Sequence, residues 1–388
     1  MVVQPNAPPE KALDMVVELY NKQGQQRRCR GCSVEGLQQF DYAVALAAYS
    51  AKSSHKIRGW TYAQMGFLLS DLCKPKQSER LLRLAIGEFD AQMTSQQEQD
   101  VAKLIALDKG VTQLHCAAQA FIRNDHPQEA ESLLKEAELV LHGSTPRRMA
   151  QLMKIKGDYA RSQKDFEAAC TWHREAIQLT AHEAGAEVCH WALLRTYKDW
   201  FADDPSRWAD APTALWLDCG KAYARVLDRA SVKRLDTSES KCAEVAYPLY
   251  LLACACYGVS HFREAQQLVT RALALIDTVW TQLRAMKLRA PVLHDLLDSK
   301  PEWVNEAKEL QKKLRSAPPC EPKLGGGEWQ DFRGLLGLDE YREFLLDCHN
   351  QTFVQVKGEE EWAAFVEMCG EVDEFFQADS FKSTTFEK

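Results

Sequence analysis

The sequence predicts an all-α protein whose antiparallel helix pairs stack into a superhelix. Apolar residues recur with helical periodicity along most of the chain, and the alternating pattern of a strand is nearly absent. One spacing of small and large residues also recurs in four windows. The 388 residues are 46% hydrophobic with only 14 Pro and 19 Gly, so the chain can bury a continuous core without staples such as disulfides.

The recurring pattern occupies 34-residue windows that begin at residues 59, 111, 150 and 246. Positions 8, 20 and 27 of each window hold residues smaller than Leu, which allow two helices to approach closely. Position 4 holds a large apolar or aromatic residue, and position 24, apolar in three windows, holds His173 in the third; Phe fills position 17 in two windows. The matching residues are Tyr62, Gly66, Ser78, Leu82 and Ala85; Leu114, Ala118, Ala130, Leu134 and Ala137; Met153, Gly157, Phe166, Ala169, His173 and Ala176; and Leu249, Ala253, Phe262, Ala265, Val269 and Ala272.

This pattern resembles the tetratricopeptide (TPR) repeat. The resemblance implies that each window forms two helices, A and B, and that the units stack into a right-handed superhelix, an α-solenoid that holds other molecules. Position 20 advances by 52, 39 and 96 residues from match to match rather than by multiples of 34, which predicts longer connections or degenerate units. Trp216, Cys219, Gly220 and Tyr223 fit a degenerate helix A whose expected helix B, 231–243, has the composition of a loop. A generic helical bundle is the alternative.

The chain divides into four predicted regions. Residues 1–56 hold N-terminal helices at roughly 10–24 and 34–53 around a basic loop with Cys29-x-x-Cys32. Residues 57–316 form the TPR-like domain, residues 317–327 form a Pro- and Gly-rich linker that cannot continue a helix, and residues 328–388 form an acidic helical segment.

The acidic C-terminal segment differs from the rest of the chain in charge. Residues 325–388 hold 15 acidic and five basic residues, a net charge of −10, whereas the whole chain carries −7 and the remaining 324 residues therefore +3. Helical periodicity over Leu338–Asn350 and Glu359–Phe376 predicts acidic C-terminal helices. These helices either cap the last repeat or dock on a partner or in the protein's own groove.

The TPR resemblance also implies a concave groove lined by positions 2, 5, 9, 12 and 13 of each helix A. Its middle is mixed polar and its ends are aromatic, a surface that suits an extended or helical peptide with acidic and apolar side chains. The candidate partner-binding residues are Trp60, Phe67, His115, Gln119, Arg123, Lys154, Asp158, Arg161, Tyr247, Tyr250 and Tyr257.

One TPR subclass grips the terminal carboxylate of chaperone tails with Lys and Asn residues at set positions. This chain has His115 and Gln119 in the first two of these positions, then Ile155, and no equivalents afterwards. The chaperone carboxylate clamp is therefore absent from the sequence, and a different protein or peptide partner is expected.

Motifs of catalysis and phosphate binding are missing from the sequence. There is no Gly-x-Ser-x-Gly elbow, no Gly-x4-Gly-Lys-Ser/Thr loop and no His-Glu-x-x-His pair. Cys29 and Cys32 lie among arginines, which favour a thiolate, but no second pair follows at zinc-finger spacing. The sequence therefore predicts no enzyme, cofactor or metal.

Charge and hydropathy argue against some classes of partner and some cellular locations. The chain has a net charge of −7 and a pI of about 5.9. It therefore lacks the broad basic surface that nucleic-acid binding normally requires. No run of 18 apolar residues predicts a membrane span, and the first residues lack a secretory signal, so a cytoplasmic or nuclear protein is expected. Thirteen cysteines, an odd number, fit a reducing compartment.

The functional prediction is a non-enzymatic adaptor or scaffold that binds a partner protein in the concave groove. Two alternatives remain open: a regulator whose acidic C-terminal helices occlude the groove, and a thiol-redox or metal-binding protein that uses Cys29 and Cys32.

Overall fold

A computed structural model describes residues 9–49, 54–95, 99–123, 127–180, 186–231, 243–297, 300–317 and 326–338. These residues are 86% helical and contain no strand, which confirms the all-α prediction. No helix in the described part combines the length and apolar character needed to cross a membrane. The acidic helices predicted beyond Leu338, and residues 318–325 of the predicted linker, lie outside the described residues.

The described residues form α-helices, with 3-10 helices at Pro205–Asp210, Ala243–Val245 and Pro291–Leu297. The helices are α1 (Pro9–Cys29), α2 (Ser33–Tyr49), α3 (His55–Asp71), α4 (Pro75–Ser95), α5 (Gln99–Arg123), α6 (Pro127–Leu141), α7 (Pro146–Ser162), α8 (Phe166–Leu179), α9 (Glu187–Trp200), α10 (Thr213–Ser231), α11 (Ala246–Gly258), α12 (Phe262–Ala285), α13 (Trp303–Arg315) and α14 (Gly327–Leu335).

Consecutive helices pack as hairpins, consistent with an α-solenoid. The four sequence windows fall on the hairpins α3–α4, α5–α6, α7–α8 and α11–α12. Local signals explain where helices begin. The Ser54 hydroxyl accepts from the Ile57 N–H at the start of α3, and the Asp165 carboxylate accepts from the Ala168 N–H at the start of α8.

Three of these hairpins share one turn geometry. The fifteenth residue of the window lies in the left-handed region in each: Cys73 with φ 54°, Lys164 with φ 62° and Ser260 with φ 63°. The next N–H donates to the carbonyl five residues earlier, at 2.9 to 3.0 Å, and so satisfies a helix-end acceptor. Because the same geometry recurs at the same window position, the repeat is present in the structure as well as in the sequence.

The small residues of the windows lie where helix A meets helix B. A Cβ added at Gly157 would lie 2.4 Å from His173 Cε1, and one added at Gly66 would lie 2.7 Å from Leu82 Cγ. In both hairpins position 8 therefore faces position 24. Ala169, at position 20, is fully buried. A larger side chain at position 20 would therefore find no room in the close-packed core.

Two local predictions are wrong. The proposed degenerate helix A around Trp216 and Tyr223 is α10, which packs on α9 and α14, whereas α9 lies between α7 and α11 and takes the helix A place. The basic loop expected after residue 24 is helical through Cys29. The loop expected at 231–243 falls mostly on residues outside the description.

The odd-numbered helices form an inner layer. Each of α1, α3, α5, α7, α9 and α11 contacts the next odd-numbered helix along the chain. Helices far apart in this layer also face one another, because Arg195 on α9 lies close enough to act electrostatically on Cys73 at the end of α3. Side chains of the inner layer therefore converge on a shared interior.

A set of contacts joins the first hairpins to the last, and we call it the seam. The buried carboxylate of Asp41 on α2 accepts the backbone N–H groups of Arg289, at 2.9 Å, and Ala290, at 2.8 Å. The Lys74 ammonium before α4 lies 4.0 Å from the ring centroid of Trp280 on α12. The stack of hairpins therefore closes on itself.

Helix α14, which follows the predicted linker, belongs to the main core. Phe332 is fully buried and its ring centroid lies 5.6 Å from that of Trp216 on α10. Arg271 on α12 donates to the Leu336 carbonyl at 2.6 Å. Helix α14 therefore lies against two even-numbered helices, α10 and α12, and its contact on α12 is the Arg271 side chain. It does not lie among the odd-numbered helices of the inner layer.

Candidate partner-binding surface

Charged and aromatic side chains from seven odd-numbered helices line the interior, and we call this set the inner polar surface. It is built from consecutive inner helices, each of which contributes one to three side chains. Its members are Arg28, Phe67, Asp71, His115, Gln119, Lys154, Asp158, Arg161, Arg195, Lys198, Asp199, Tyr247, Tyr250, Trp303 and Glu306.

At the N-terminal end of this surface, α1, α3 and α5 meet. Arg28 forms a two-point ion pair with Asp71, with Nε–Oδ2 and Nη2–Oδ1 distances of 2.5 and 3.3 Å. The ring centroids of Phe67 and His115 lie 4.4 Å apart. Gln119 is 3% exposed, and its amide donates to the Ser70 hydroxyl at 2.9 Å. These contacts hold the side chains in fixed orientations.

His115 is neutral at physiological pH. Burial lowers the pKa of His115 to about 3, and the positive charges of Arg28 and Lys154 lower it further in the same direction. The neighbourhood of His115 therefore carries a positive potential that disfavours a further cation.

In the middle of the surface, an ion-pair network links α7 to α9. The Lys154 ammonium donates to Asp158 Oδ2 at 2.6 Å, and Arg161 Nη1 donates to Asp199 Oδ2 at 2.6 Å. Burial alone would raise the pKa of Asp158, but Lys154 and Arg161 hold it well below its usual range. Asp158 is therefore a carboxylate, and its charge is already compensated.

Arg195 on α9 has a different environment. Its guanidinium lies over the Tyr247 ring, 5.7 Å from the centroid, and the side chain is half-buried. No carboxylate of the described residues forms an ion pair with it. Burial alone would lower the pKa of Arg195, but Tyr247, Asp158 and Asp199 raise it, so it stays a cation.

The C-terminal end of the surface is aromatic. The Tyr250 and Trp303 rings stack at 5.5 Å between centroids, and Tyr247 lies 5.6 Å from Trp303. Glu306 accepts from the Tyr250 hydroxyl at 2.8 Å and from the Lys198 ammonium at 2.5 Å. Tyr250 and Trp303 are buried, so the half-buried Tyr247 ring is the aromatic group that this end presents beside paired charges.

The structure brings eight of the sequence-predicted residues into the surface and leaves two aside. Trp60 is half-buried near the start of α3, and no described ring contact joins it to the surface. The Tyr257 ring packs on Phe262 of α12. The side chain of Arg123 lies outside the described residues. The predicted residues within the surface are Phe67, His115, Gln119, Lys154, Asp158, Arg161, Tyr247 and Tyr250.

Sequence reasoning missed the contribution of α9 and α13. Arg195, Lys198 and Asp199 lie on a helix that lacks the small-residue signature, and Trp303 and Glu306 lie on the last inner helix. Charged residues three and four apart on one helix could have indicated a polar face, but only the packing shows that this face points inward.

The two thiols of Cys29-x-x-Cys32 have different environments. Cys29 is exposed at the end of α1, whereas Cys32 is 3% exposed and its thiol lies 3.8 Å from the Arg30 carbonyl oxygen. Within the described residues, no group of three or more His, Cys, Asp or Glu is placed to hold a metal. A redox or metal role for this pair stays untested.

A separate cavity of about 370 Å³ lies between α8, α9 and the turn Pro205–Asp210. Arg207 already covers the two aromatic rings Trp200 and Phe201 that line it. The Arg207 guanidinium lies 5.3 and 4.9 Å from their ring centroids. Charges of both signs surround the cavity, so it indicates no single ligand class. The other charged lining residues are Glu167, Arg174 and Asp210.

Comparison with known proteins adds no family to this description. No protein-family model matches the chain, and no curated protein matches it either.

Proposed function

We propose that this protein is a non-enzymatic adaptor that binds a segment of a partner protein along the inner polar surface. One observation supports the proposal most: consecutive inner helices place charged and aromatic side chains on one continuous, partly exposed surface. Such a surface can contact an extended or helical segment at several points along its length.

The contacts within the surface fit a binding role. Arg28–Asp71, Lys154–Asp158 and Lys198–Glu306 hold the charged groups in place before a partner arrives. Preorganised side chains lose less conformational entropy on binding, which raises affinity. At the aromatic end, the half-buried Tyr247 supplies a rigid ring of the kind that dominates binding energy at interfaces, and the buried Trp303 supports it from behind.

Site-specific photo-cross-linking in cells tests this function. We expect p-benzoylphenylalanine in place of His115, a half-buried residue of the inner polar surface, to capture one or a few defined partner proteins. The same group in place of Arg147, exposed at the start of α7, is the matched control and should not capture them. Equal capture at both positions, or capture at neither, would show that partners do not occupy the inner polar surface.

A further inference from the structure

Arg195 is the cation of the inner polar surface that has no ion pair with any described carboxylate. Arg28 pairs with Asp71, Lys154 with Asp158, Arg161 with Asp199 and Lys198 with Glu306. Among the described residues, the cation of this surface that forms no ion pair with a carboxylate is Arg195. A guanidinium held in this way keeps its N–H donors available for a planar anion.

Among the described residues, the groups known to act on Arg195 supply no counter-charge that is still unpaired. Burial raises the pKa of the Cys73 thiol to about 11, so this neighbour is uncharged. Asp158 and Asp199 lie close enough to act on Arg195, but Lys154 and Arg161 bind their carboxylates. An incoming anion would therefore not have to displace a partner of Arg195 from the described part of the chain.

The charge of Arg195 and the aromatic rings beside it both restrict the chemical class of the ligand. One guanidinium without an ion pair among the described residues suits a monoanion, whereas the second charge of a phosphoryl dianion would be repelled by Asp158 and Asp199. Tyr247 lies under the guanidinium and packs on Trp303. A carboxylate with an apolar or aromatic side chain next to it would satisfy both features.

We infer that the partner segment carries an Asp or Glu whose carboxylate binds the Arg195 guanidinium, with an adjacent apolar side chain on the half-buried ring of Tyr247. This inference rests on the proposed function and names the chemistry of its partner. The segment belongs to a separate protein, and Arg195 selects it by charge while the Tyr247 ring contacts the neighbouring residue.

Selection from a random 12-residue peptide library displayed on phage tests the inference with the full chain. Peptides selected by the wild type should share an acidic residue next to an apolar or aromatic one. Replacing that residue by Gln or Asn should weaken binding to the wild type about tenfold, as expected for a charge-assisted contact. The same replacement should change binding to Arg195→Gln less than twofold, while Arg147→Gln should behave like the wild type.

The outcomes separate this inference from the proposed function. Selected peptides that cross-link to p-benzoylphenylalanine at His115 but share no acidic residue would overturn the role of Arg195 and leave the adaptor function standing. If no peptide is selected and no partner is captured at His115, both fail. A cross-link from p-benzoylphenylalanine at Tyr247 to residues 339–388 of the same chain would overturn the assignment to a separate partner.

Discussion

Gly157 shows how one residue decides whether two helices can form a hairpin. Its missing side chain leaves room for the ring of His173, which is fully buried against it. Both residues could be identified from the sequence, because position 8 and position 24 follow from the spacing of the window alone. What the spacing could not show is that the two positions touch each other.

Gly157→Ala should lower the free energy of unfolding by about 1–3 kcal/mol, because the new methyl group would overlap the His173 ring. Gly87→Ala is the matched control, since a Cβ at Gly87 in α4 meets no atom within 4 Å. This control should be stabilising by up to about 1 kcal/mol through helix propensity. Urea unfolding measures both changes, and equal effects would contradict the close contact.

His173 should make the protein sensitive to acid. Burial lowers its pKa to about 4 from a usual value of 6.5, although Asp158 opposes the shift. The unfolded chain therefore binds the proton first, so stability is complete above about pH 6.5 and falls as the pH drops toward 4. The slope from this residue is at most about 1.4 kcal/mol per pH unit.

His173→Phe tests that assignment, because the ring is kept but the titrating nitrogens, which have no hydrogen-bond partner among the described residues, are removed. The unfolding free energy of the variant should depend less on pH between 6.5 and 4, as measured by urea unfolding at half-unit steps. An unchanged slope would assign the acid sensitivity to other groups such as His115.

At the scale of single elements, hairpins with the small-residue signature were predictable and those without it were not. The windows marked α3, α5, α7 and α11 as helix A because close packing demands small side chains there. Helix α9 takes the same place with large charged residues on its inner face, so no spacing rule marks it. Its partner α10 was mistaken for a helix A because Trp216 and Tyr223 match that spacing by chance.

Helix α14 contributes to stability even though it follows the predicted linker. Phe332→Ala should cost about 3–5 kcal/mol, because a fully buried aromatic side chain between α10 and its own helix is lost. Gln330→Ala, on the exposed side of the same nine-residue helix, should change stability little. Thermal or urea unfolding measures both. A neutral Phe332→Ala would show that α14 is not docked in solution.

At the scale of the whole molecule, the seam is the feature that sequence reasoning could not reach. Helical periodicity shows which face of a helix is buried but not which distant helix covers it. The polar character of Asp41 gives no hint that its carboxylate binds backbone N–H groups 248 and 249 residues away. The handedness of the superhelix stays a prediction.

Asp41→Ala should open the seam, because it leaves the N–H groups of Arg289 and of the buried Ala290 without their acceptor, and a buried unpaired N–H costs about 1–3 kcal/mol. We expect a larger radius of gyration in small-angle scattering and faster exchange of the Arg289 and Ala290 amides, with helix content unchanged. Asp295→Ala removes an ion pair with Arg80 that also belongs to the seam but is exposed, so it should contribute little and is the control. Equal scattering curves for Asp41→Ala and the wild type would contradict closure by Asp41.

The seam also sets the order in which the protein can mature during synthesis. Asp41 emerges from the ribosome 249 residues before Ala290 does, an interval of roughly 12–50 s at usual elongation rates. The early hairpins can form in that time from local contacts, but the side of α2 that meets α12 has nothing to cover it. The docking of α2 on α12 and the segment after it is therefore a late, long-range step. Newly made chains complete it only after α12 has left the ribosome.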